Sequence, residues 1–259
     1  MKANKNTTPE IVLITGASAG IGKACAHAFA GAGARLILVA RRQDRLEDLA
    51  EQLYVEHAAE SHLLVLDVRD AGIVTQVLSQ LPDEWSAVDV LVNNAGLGRG
   101  LEKLQEGDLT DWNEMIDTNV KGLLYVTRAL VPAMVERGRG HVINVGSTAG
   151  HEVYPGGAVY CATKHAVGAI TRGLRLDLFG TPVRVSSVDP GLVETEFSIV
   201  RFRGDEERAG QVYKGYQPLR PEDVADAILY AATRPHHINI DEIIIKPTAQ
   251  ASSTMVDRG

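Results

Sequence analysis

Short apolar runs alternate with longer segments of helical periodicity along most of this chain. The apolar runs lie at 11–14, 35–40, 62–68, 88–92, 141–146, 183–189 and 242–246. The segments between them repeat apolar residues every three or four positions, as helices do when one face packs on a sheet. This alternation predicts an α/β fold in a single domain: a doubly wound parallel sheet with right-handed crossovers and helices on both of its faces.

We expect that domain to cover residues 10–248, with a flexible N-terminus at 1–9 and a polar C-terminal tail at 249–259. Residues 192–216 combine weak periodicity with glycines and charges, which predicts a mobile flap. The net charge of −7 argues against a nucleic-acid surface, and the two cysteines are too few for a disulfide framework. No run reaches the length of a membrane span, and the start lacks an apolar leader core. A soluble cytoplasmic protein without nucleic-acid or membrane partners is expected.

A glycine-rich loop, Thr15-Gly-Ala-Ser-Ala-Gly-Ile-Gly22, joins the first apolar run to the first helical segment. Its glycines allow a tight turn and a close approach of the backbone to a ligand. The helix that follows offers unpaired N–H groups and a partial positive charge. The loop therefore predicts a pyrophosphate site, although a plain strand-to-helix turn would also use glycines.

Arginines stand at the end of the second strand, where an NAD site usually has an acidic residue for the ribose hydroxyls. Arg41 and Arg42, with Arg45 one turn later, suit a 2′-phosphate through charge-assisted hydrogen bonds. Cations at a helix N-terminus oppose the helix dipole, so a purely solvated role explains them less well. NADP is therefore the predicted cofactor. Asp67, at the end of the third strand, could accept the adenine amino group or cap the next helix.

The segment from Ser147 to Lys164 carries the strongest indication of catalysis. Tyr160 and Lys164 lie four residues apart on a predicted helix, so their side chains leave the same face, while Ser147 follows the fifth strand. A nearby ammonium favours the phenolate, which predicts a Tyr160 pKa below its usual value. The three groups suit proton transfer at a carbon-bound oxygen. A tyrosine and a lysine at this spacing also occur on many solvent-facing helices.

Taken together, these motifs resemble the short-chain dehydrogenase/reductase family over nearly the whole chain. The matching residues are Thr15-Gly16-x-x-x-Gly20-Ile21-Gly22, Asn93-Asn94-Ala95-Gly96, Asn119, Ser147, Tyr160-x-x-x-Lys164 and Pro190-Gly191. The resemblance implies a Rossmann-type fold, with Tyr160 as general acid/base and Ser147 orienting the substrate oxygen. It also implies that Lys164 binds the nicotinamide ribose and lowers the Tyr160 pKa, and that Asn119 supports a water-linked proton relay.

The resemblance also implies that the segment after Pro190-Gly191 meets the nicotinamide carboxamide. Some NADP-using members carry a basic residue where this chain has Ala19, so phosphate recognition is expected to rest on Arg41 and Arg42, helped by Ser18. No metal ligand is expected. The predicted cofactor-binding residues are Gly16, Ser18, Gly20, Ile21, Gly22, Arg41, Arg42, Asp67, Asn93, Ala95, Gly96, Tyr160, Lys164, Pro190, Gly191, Val193 and Thr195.

A narrower resemblance is to the NADP-dependent 3-hydroxy acid dehydrogenases, which oxidise serine-like or 3-hydroxypropionate-like substrates or reduce malonic semialdehyde. It rests on residues 117–122, 146–150, 194–198 and 200–205. It implies a small 3-hydroxy acid as substrate and, by family likeness, a homotetramer.

Two flap arginines are the predicted ligands of the substrate carboxylate. In an extended stretch Arg201 and Arg203 would face the site together, with Phe202 on the opposite side. Alternatively, these arginines are solvated, or they pair with Asp205, Glu206 or a neighbouring subunit.

Other functions remain open. The chain could reduce other ketones or cyclic alcohols with NADPH, or it could be a dinucleotide-binding regulator without turnover. The intact Ser147, Tyr160 and Lys164 argue against a regulator, which needs no acid–base pair. Isomerases and dehydratases with tightly held cofactor tend to carry an extra C-terminal substrate domain, for which we expect no room here.

Overall fold

The structure, a computed structural model, describes residues 9–259, and its centre is one parallel β-sheet. The strands are β1 Ile11–Thr15, β2 Arg35–Ala40, β3 Ser61–Val65, β4 Val90–Asn93, β5 Gly140–Val145, β6 Val183–Pro190 and β7 Glu242–Ile245. Their order across the sheet is β3-β2-β1-β4-β5-β6-β7, and each neighbouring pair is parallel. This order confirms the predicted doubly wound, Rossmann-type sheet.

Helices connect successive strands and cover both faces of the sheet. The α-helices of the described part are α1 Gly20–Gly31, α2 Gln43–His57, α3 Ala71–Ser79, α4 Asp83–Ser86, α5 Leu109–Ile116, α6 Leu123–Arg137, α7 Ala158–Asp177, α8 Phe197–Arg201, α9 Glu206–Gln211 and α10 Pro221–Ala232. A π-helical segment, Asp117–Gly122, joins α5 to α6. A single helix of regular pitch therefore does not run through this region.

Two hydrophobic cores hold the layers together, one on each face of the sheet. Residues of α1, α2 and α10, among them Phe29, Leu46 and Ile228, form the first core. Residues of α3, α6 and α7, among them Val74 and Met134, contribute to the second. Because the central strands are covered on both faces, their sequences are continuous apolar runs and do not alternate with polar residues. The layers fix where each strand ends, and these ends carry the candidate site.

Residues 192–216, which we call the flap, contain the two short helices α8 and α9. Phe202 and Ala209 are buried and attach these helices to the domain. The tail packs against the flap, because the Arg258 guanidinium donates to the backbone carbonyls of Gln211, Val212 and Lys214. The sequence predicted neither these helices nor this contact with the tail. Mobility of the flap stays a prediction.

The predicted flexible terminus at 1–9 falls almost entirely outside the described residues. Within residues 9–259, no helix has both the length and the apolar character that crossing a bilayer requires.

Candidate active site

A cleft of about 640 Å³ opens at the carboxyl ends of the strands. Its walls come from the loops after β1, β2, β3, β4, β5 and β6, from the flap and from the tail. The strand order reverses between β1 and β4, and doubly wound sheets bind their ligands at such a point. The cleft volume lies within the range that cofactor and substrate sites usually have.

The glycine-rich loop needs its glycines because a neighbouring loop presses against it. Gly16 has φ +66°, and a Cβ there would lie 2.9 Å from Asn94 Nδ2. A Cβ on Gly22 would collide with the Gly16 carbonyl. The Asn94 amide donates to the carbonyls of Thr15 at 2.9 Å and Gly16 at 3.2 Å. Asn94 therefore stabilises the conformation of the glycine-rich loop. The sequence did not predict this role.

Most of the predicted cofactor residues line the cleft. They are Gly16, Ser18, Gly20, Ile21, Arg41, Arg42, Asp67, Ala95, Gly96, Tyr160, Lys164, Pro190, Gly191, Val193 and Thr195. Gly22 lies behind the loop, where only a glycine fits. Asn93 points into the sheet, and its amide donates to Thr127 Oγ1 and Asn144 Oδ1, both at 2.9 Å. The Asn93 side chain therefore ties β4 to its neighbours and does not face the cleft, and a cofactor contact of this residue stays a prediction.

Asp67 is held by an arginine of its own loop. Arg69 donates to both carboxylate oxygens, with Nε–Oδ1 at 3.0 Å and Nη2–Oδ2 at 2.6 Å. Partial burial alone would raise the pKa of Asp67, but the hydrogen bonds from Arg69 hold it below the ordinary value. The predicted alternative role as a helix cap is wrong, because Asp70 caps α3 by accepting from the Ile73 N–H at 3.0 Å. A contact with adenine stays a prediction.

A flap carboxylate reaches the arginines at the start of α2. Arg42 donates through Nη1 to Glu196 Oε2 at 3.2 Å and through Nη2 to Ser18 Oγ at 3.1 Å. Arg45 donates to the other oxygen of Glu196 at 2.6 Å. Burial alone would raise the pKa of Glu196, and the two arginines hold it below the ordinary value. No signal in the sequence pointed to this long-range contact.

Ser147, Tyr160 and Lys164 meet at the end of β5, as their spacing predicted. Ser147 begins a short 3₁₀ turn, Thr148–Gly150, and its Oγ accepts from the Ala149 N–H at 3.1 Å. Tyr160 and Lys164 project from α7 into the cleft. The Lys164 ammonium is buried and donates to the Val145 carbonyl at 2.9 Å. Burial lowers the pKa of Lys164 to about 8, against an opposing attraction to Asp189.

The pKa of Tyr160 is shifted in the direction opposite to the predicted one. Burial raises it to about 12, while the Arg201 guanidinium and a hydrogen bond with Ser147 work in the other direction. Desolvation is the largest influence on this phenol, and the Lys164 ammonium, which was expected to lower its pKa, is directed at the Val145 carbonyl instead. Tyr160 is thus a neutral phenol over the physiological range.

Asn119 lies in the π-helical segment, a feature that often marks functional sites. Its Oδ1 accepts from the Leu97 N–H at 2.8 Å, and its Nδ2 donates to the Leu97 carbonyl at 2.8 Å and to Thr163 Oγ1 at 3.0 Å. A Cβ on Gly96 would lie 3.3 Å from Asn119 Oδ1 and 3.7 Å from Lys164 Nζ. Asn119 therefore joins the loop after β4 to α7 close to Lys164. Both amide hydrogens are used, so a proton relay would have to involve its backbone carbonyl.

Arg201, the last residue of α8, projects into the cleft beside Tyr160. Its Cζ lies 4.8 Å from the ring centres of both Tyr160 and Phe197. Its Nη2 donates to the Tyr154 hydroxyl at 3.1 Å. Its Nε is buried and has no hydrogen-bond partner among residues 9–259. Tyr154 and Phe197 are further residues of the site that the sequence did not indicate.

Arg203 does not face the cleft, and the prediction that it acts beside Arg201 is wrong. Residues 197–201 are helical and not extended, and Arg203 follows them with a positive φ of 52°. This turn directs its guanidinium to Asp111 of α5, while Phe202 lines the cleft. Asp205, one of the suggested partners, caps α9 by accepting from the Arg208 N–H.

Known proteins resemble this chain over nearly its whole length. The family model for short chain dehydrogenases matches residues 10–205. An NADP-dependent 3-hydroxy acid dehydrogenase of Salmonella typhi is 48% identical over 243 residues, which are 93% of this chain and 96% of that protein. Sulfoacetaldehyde reductase 2 of Chromohalobacter salexigens is 48% identical over 251 residues, which are 96% of this chain and 99% of that protein.

Solved structures agree with the sequence comparison. The closed form of a serine dehydrogenase complexed with NADP⁺ has a TM-score of 0.90 and 45% identity, covering 96% of this chain and all 100% of that one. An alcohol dehydrogenase from the archaeon Thermococcus sibiricus, complexed with 5-hydroxy-NADP, has a TM-score of 0.81 and 30% identity, covering 93% and 97%. The chain therefore belongs to the short-chain dehydrogenase family of oxidoreductases.

Proposed function

We propose that this chain transfers a hydride between NADP(H) and a small hydroxy acid. The substrate is a 3-hydroxy acid such as serine or 3-hydroxypropionate, or malonic semialdehyde in the direction of reduction. The observation that carries this proposal is the half-buried Arg201 guanidinium, which lies in the wall of the cleft 4.8 Å from the centre of the Tyr160 ring. A partly desolvated cation in the cleft wall suits an anionic substrate group placed beside the reacting oxygen.

The cofactor is NADP. The residues fit it, because the glycine loop brings backbone N–H groups to the cleft, and Ser18, Arg41 and Arg42 lie together at the end of β2. We call these last three residues the phosphate subsite, since they would hold the 2′-phosphate. Relatives named as NADP-dependent, and structures complexed with NADP, support this assignment. When bound, the nicotinamide supplies or accepts the hydride.

Tyr160 exchanges the proton at the substrate oxygen. As a neutral phenol it can donate in the direction of reduction, and Ser147 holds the same oxygen in place. Oxidation requires the phenol to accept a proton instead, so its pKa must fall. Lys164, on the same helix face, is the cation that would lower it once its ammonium turns away from the Val145 carbonyl.

Arg201 binds the anionic end of the substrate. A guanidinium presents parallel N–H donors that match a carboxylate in geometry as well as in charge. The relatives' names support a short anionic substrate, since they include a 3-hydroxy acid dehydrogenase and a serine dehydrogenase. A two-carbon hydroxysulfonate is the second candidate, because the same donors suit a sulfonate and one relative is named a sulfoacetaldehyde reductase.

Steady-state rates with NADP⁺ would test the substrate class. The panel is L-serine, 3-hydroxypropionate, 2-hydroxyethanesulfonate, the methyl ester of 3-hydroxypropionate and cyclohexanol, with NADPH formation followed by absorbance. We expect kcat/KM to be at least about 100-fold higher for one of the anions than for the ester, given the strength of charge-assisted pairing in a buried site. Equal or better turnover of the ester or of cyclohexanol would contradict an anionic substrate. Whether kcat/KM is higher for the carboxylates or for the sulfonate decides between a 3-hydroxy acid and a two-carbon hydroxysulfonate as the substrate.

The enzyme is proposed to be a cytoplasmic homotetramer. Large apolar side chains are exposed at Leu176 near the end of α7 and at Phe179 just beyond it, which are 77% and 92% accessible, and also at Tyr230 on α10 and Ile244 on β7. Such exposed residues suit subunit contacts. Both cysteines are free and buried, as suits a reducing compartment. Light scattering after gel filtration would test the subunit number, and a monomer would contradict it.

A further inference from the structure

Glu196 connects the flap to the arginines that precede and begin α2. Its two carboxylate oxygens are bound separately, one by Arg42 at 3.2 Å and the other by Arg45 at 2.6 Å. The carboxylate lines the same cleft as Ser18 and Arg41. The preceding residue, Thr195, lies against the glycine loop, since a Cβ on Gly20 would be 3.2 Å from Thr195 Cγ2. The first residues of the flap thus lie across the cleft and place an anion beside the phosphate subsite.

The Arg42 guanidinium would have to bind two anions, the Glu196 carboxylate and the 2′-phosphate of the cofactor. Arg42 donates one N–H to Glu196 and another to Ser18, so these two N–H groups can turn to a 2′-phosphate only if they leave their present acceptors. Arg45 makes the shorter contact with Glu196 and can keep that carboxylate when Arg42 leaves. A phosphate near Glu196 would also meet like-charge repulsion. NADH, which has no 2′-phosphate, needs no such exchange of partners.

We propose that Glu196 determines the degree of cofactor specificity by competing with the 2′-phosphate of NADP(H) for Arg42. The inference rests on the proposed role of Arg42 in the phosphate subsite. Glu196 lowers the affinity for NADPH and leaves the affinity for NADH unchanged, so the wild-type enzyme discriminates less than its arginines alone would allow. The carboxylate thereby keeps NADP(H) exchangeable at a site rich in cations.

The test is the dissociation constant of NADPH and of NADH for the full-length Glu196→Gln variant, measured by fluorescence titration at one fixed ionic strength. Loss of the competing charge should tighten NADPH binding by roughly 3- to 10-fold, as expected for a partly exposed ion pair. NADH binding should stay within about twofold of wild type on the same reasoning. The matched control is Glu194→Gln, which removes a charge from the same segment but from an exposed carboxylate without an arginine partner among residues 9–259.

A second variant separates this inference from the phosphate assignment itself. Arg42→Ala should weaken NADPH binding, and Glu196→Gln added to it should bring a smaller gain than in the wild type, because the contested guanidinium is gone and only the direct repulsion between the carboxylate and the phosphate remains. If Arg42→Ala leaves NADPH binding unchanged, the phosphate assignment is wrong and the inference falls with it. If Arg42→Ala weakens NADPH binding but Glu196→Gln fails to tighten it, or tightens NADH equally, Glu196 is not a competitor and the inference alone is overturned.

Discussion

The guanidinium of Arg201 lies 4.8 Å from the centre of the Tyr160 ring, so a cation from the flap faces the proposed proton donor. This relationship joins two parts of the chain that are 41 residues apart in sequence. It places an anion-binding group beside the phenol that would serve the substrate oxygen, and it opposes the rise in the Tyr160 pKa caused by burial. A substrate with an anion and a hydroxyl on neighbouring carbons could reach both groups at once.

The first prediction concerns Arg201. Arg201→Ala should raise KM for the preferred anionic substrate by roughly 10- to 100-fold, because a charge-assisted contact at a partly buried cation is lost. KM for the corresponding methyl ester should change by less than about threefold on the same basis. Michaelis constants for both substrates measure the effect. If both constants rise alike, Arg201 supports the shape of the site and does not bind the carboxylate.

Arg203→Ala is the matched control for that measurement. Arg203 belongs to the same turn of the flap but pairs with Asp111 outside the cleft. Its removal should leave the ratio of the two Michaelis constants at the wild-type value.

The second prediction concerns Tyr160. Tyr160→Phe should lower kcat and kcat/KM together, by roughly 10²- to 10⁴-fold, because it removes a proton transfer that is made only in the transition state. The dissociation constant of NADPH should stay near the wild-type value. Turnover and cofactor titration on the same preparation provide the check. A variant that retains a tenth of wild-type kcat, or more, would show that another group carries the proton.

The third prediction concerns the phosphate subsite. The double variant Arg41→Asp with Arg42→Ala should reduce the preference for NADPH over NADH to about unity or reverse it. Each hydrogen bond to a charged group contributes ~1.5–3 kcal/mol to binding, and solvent screening lowers this value at partly exposed arginines. Values of kcat/KM for the two cofactors measure the preference. Arg128→Ala, at an exposed position on α6, is the control and should keep it. A wild-type enzyme that uses both cofactors equally would refute the assignment.

The sequence predicted the fold well because the fold depends on periodicity. Buried parallel strands are continuous apolar runs, and each run that was predicted as a strand overlaps one in the structure. The pair Tyr160 and Lys164 was predictable for a similar reason, since four residues on a helix bring two side chains to one face. Both inferences need only local geometry.

The errors and omissions concern properties that local geometry does not decide. Asn93 and Asn94 are adjacent, and neighbouring residues at a strand end point to opposite sides, so the sequence could not tell which one meets the cleft. Arg201 and Arg203 would have faced the same way in an extended segment, but a short helix and a turn with positive φ separate them. The Tyr160 pKa depends on how deeply the phenol is buried, which only the packed structure reveals.

The last prediction follows from the burial of Lys164, which lowers its pKa from 10.5 to about 8. Below pH 8 the native protein carries the buried Lys164 charge, and the full cost of burying it is subtracted from the free energy of unfolding. Between about pH 8 and 10.5 the native lysine is neutral while the unfolded one still binds a proton, so wild-type stability from this group rises with pH. Lys164→Met removes the charge and should raise the melting temperature at pH 7 by roughly 2–4 °C. The difference in melting temperature between the variant and the wild type should become smaller towards pH 10. The same variant should lose most of its activity. Thermal unfolding of both proteins across this pH range measures the difference, and an advantage that is the same at pH 7 and pH 10 would show that burial of the charge is not its cause.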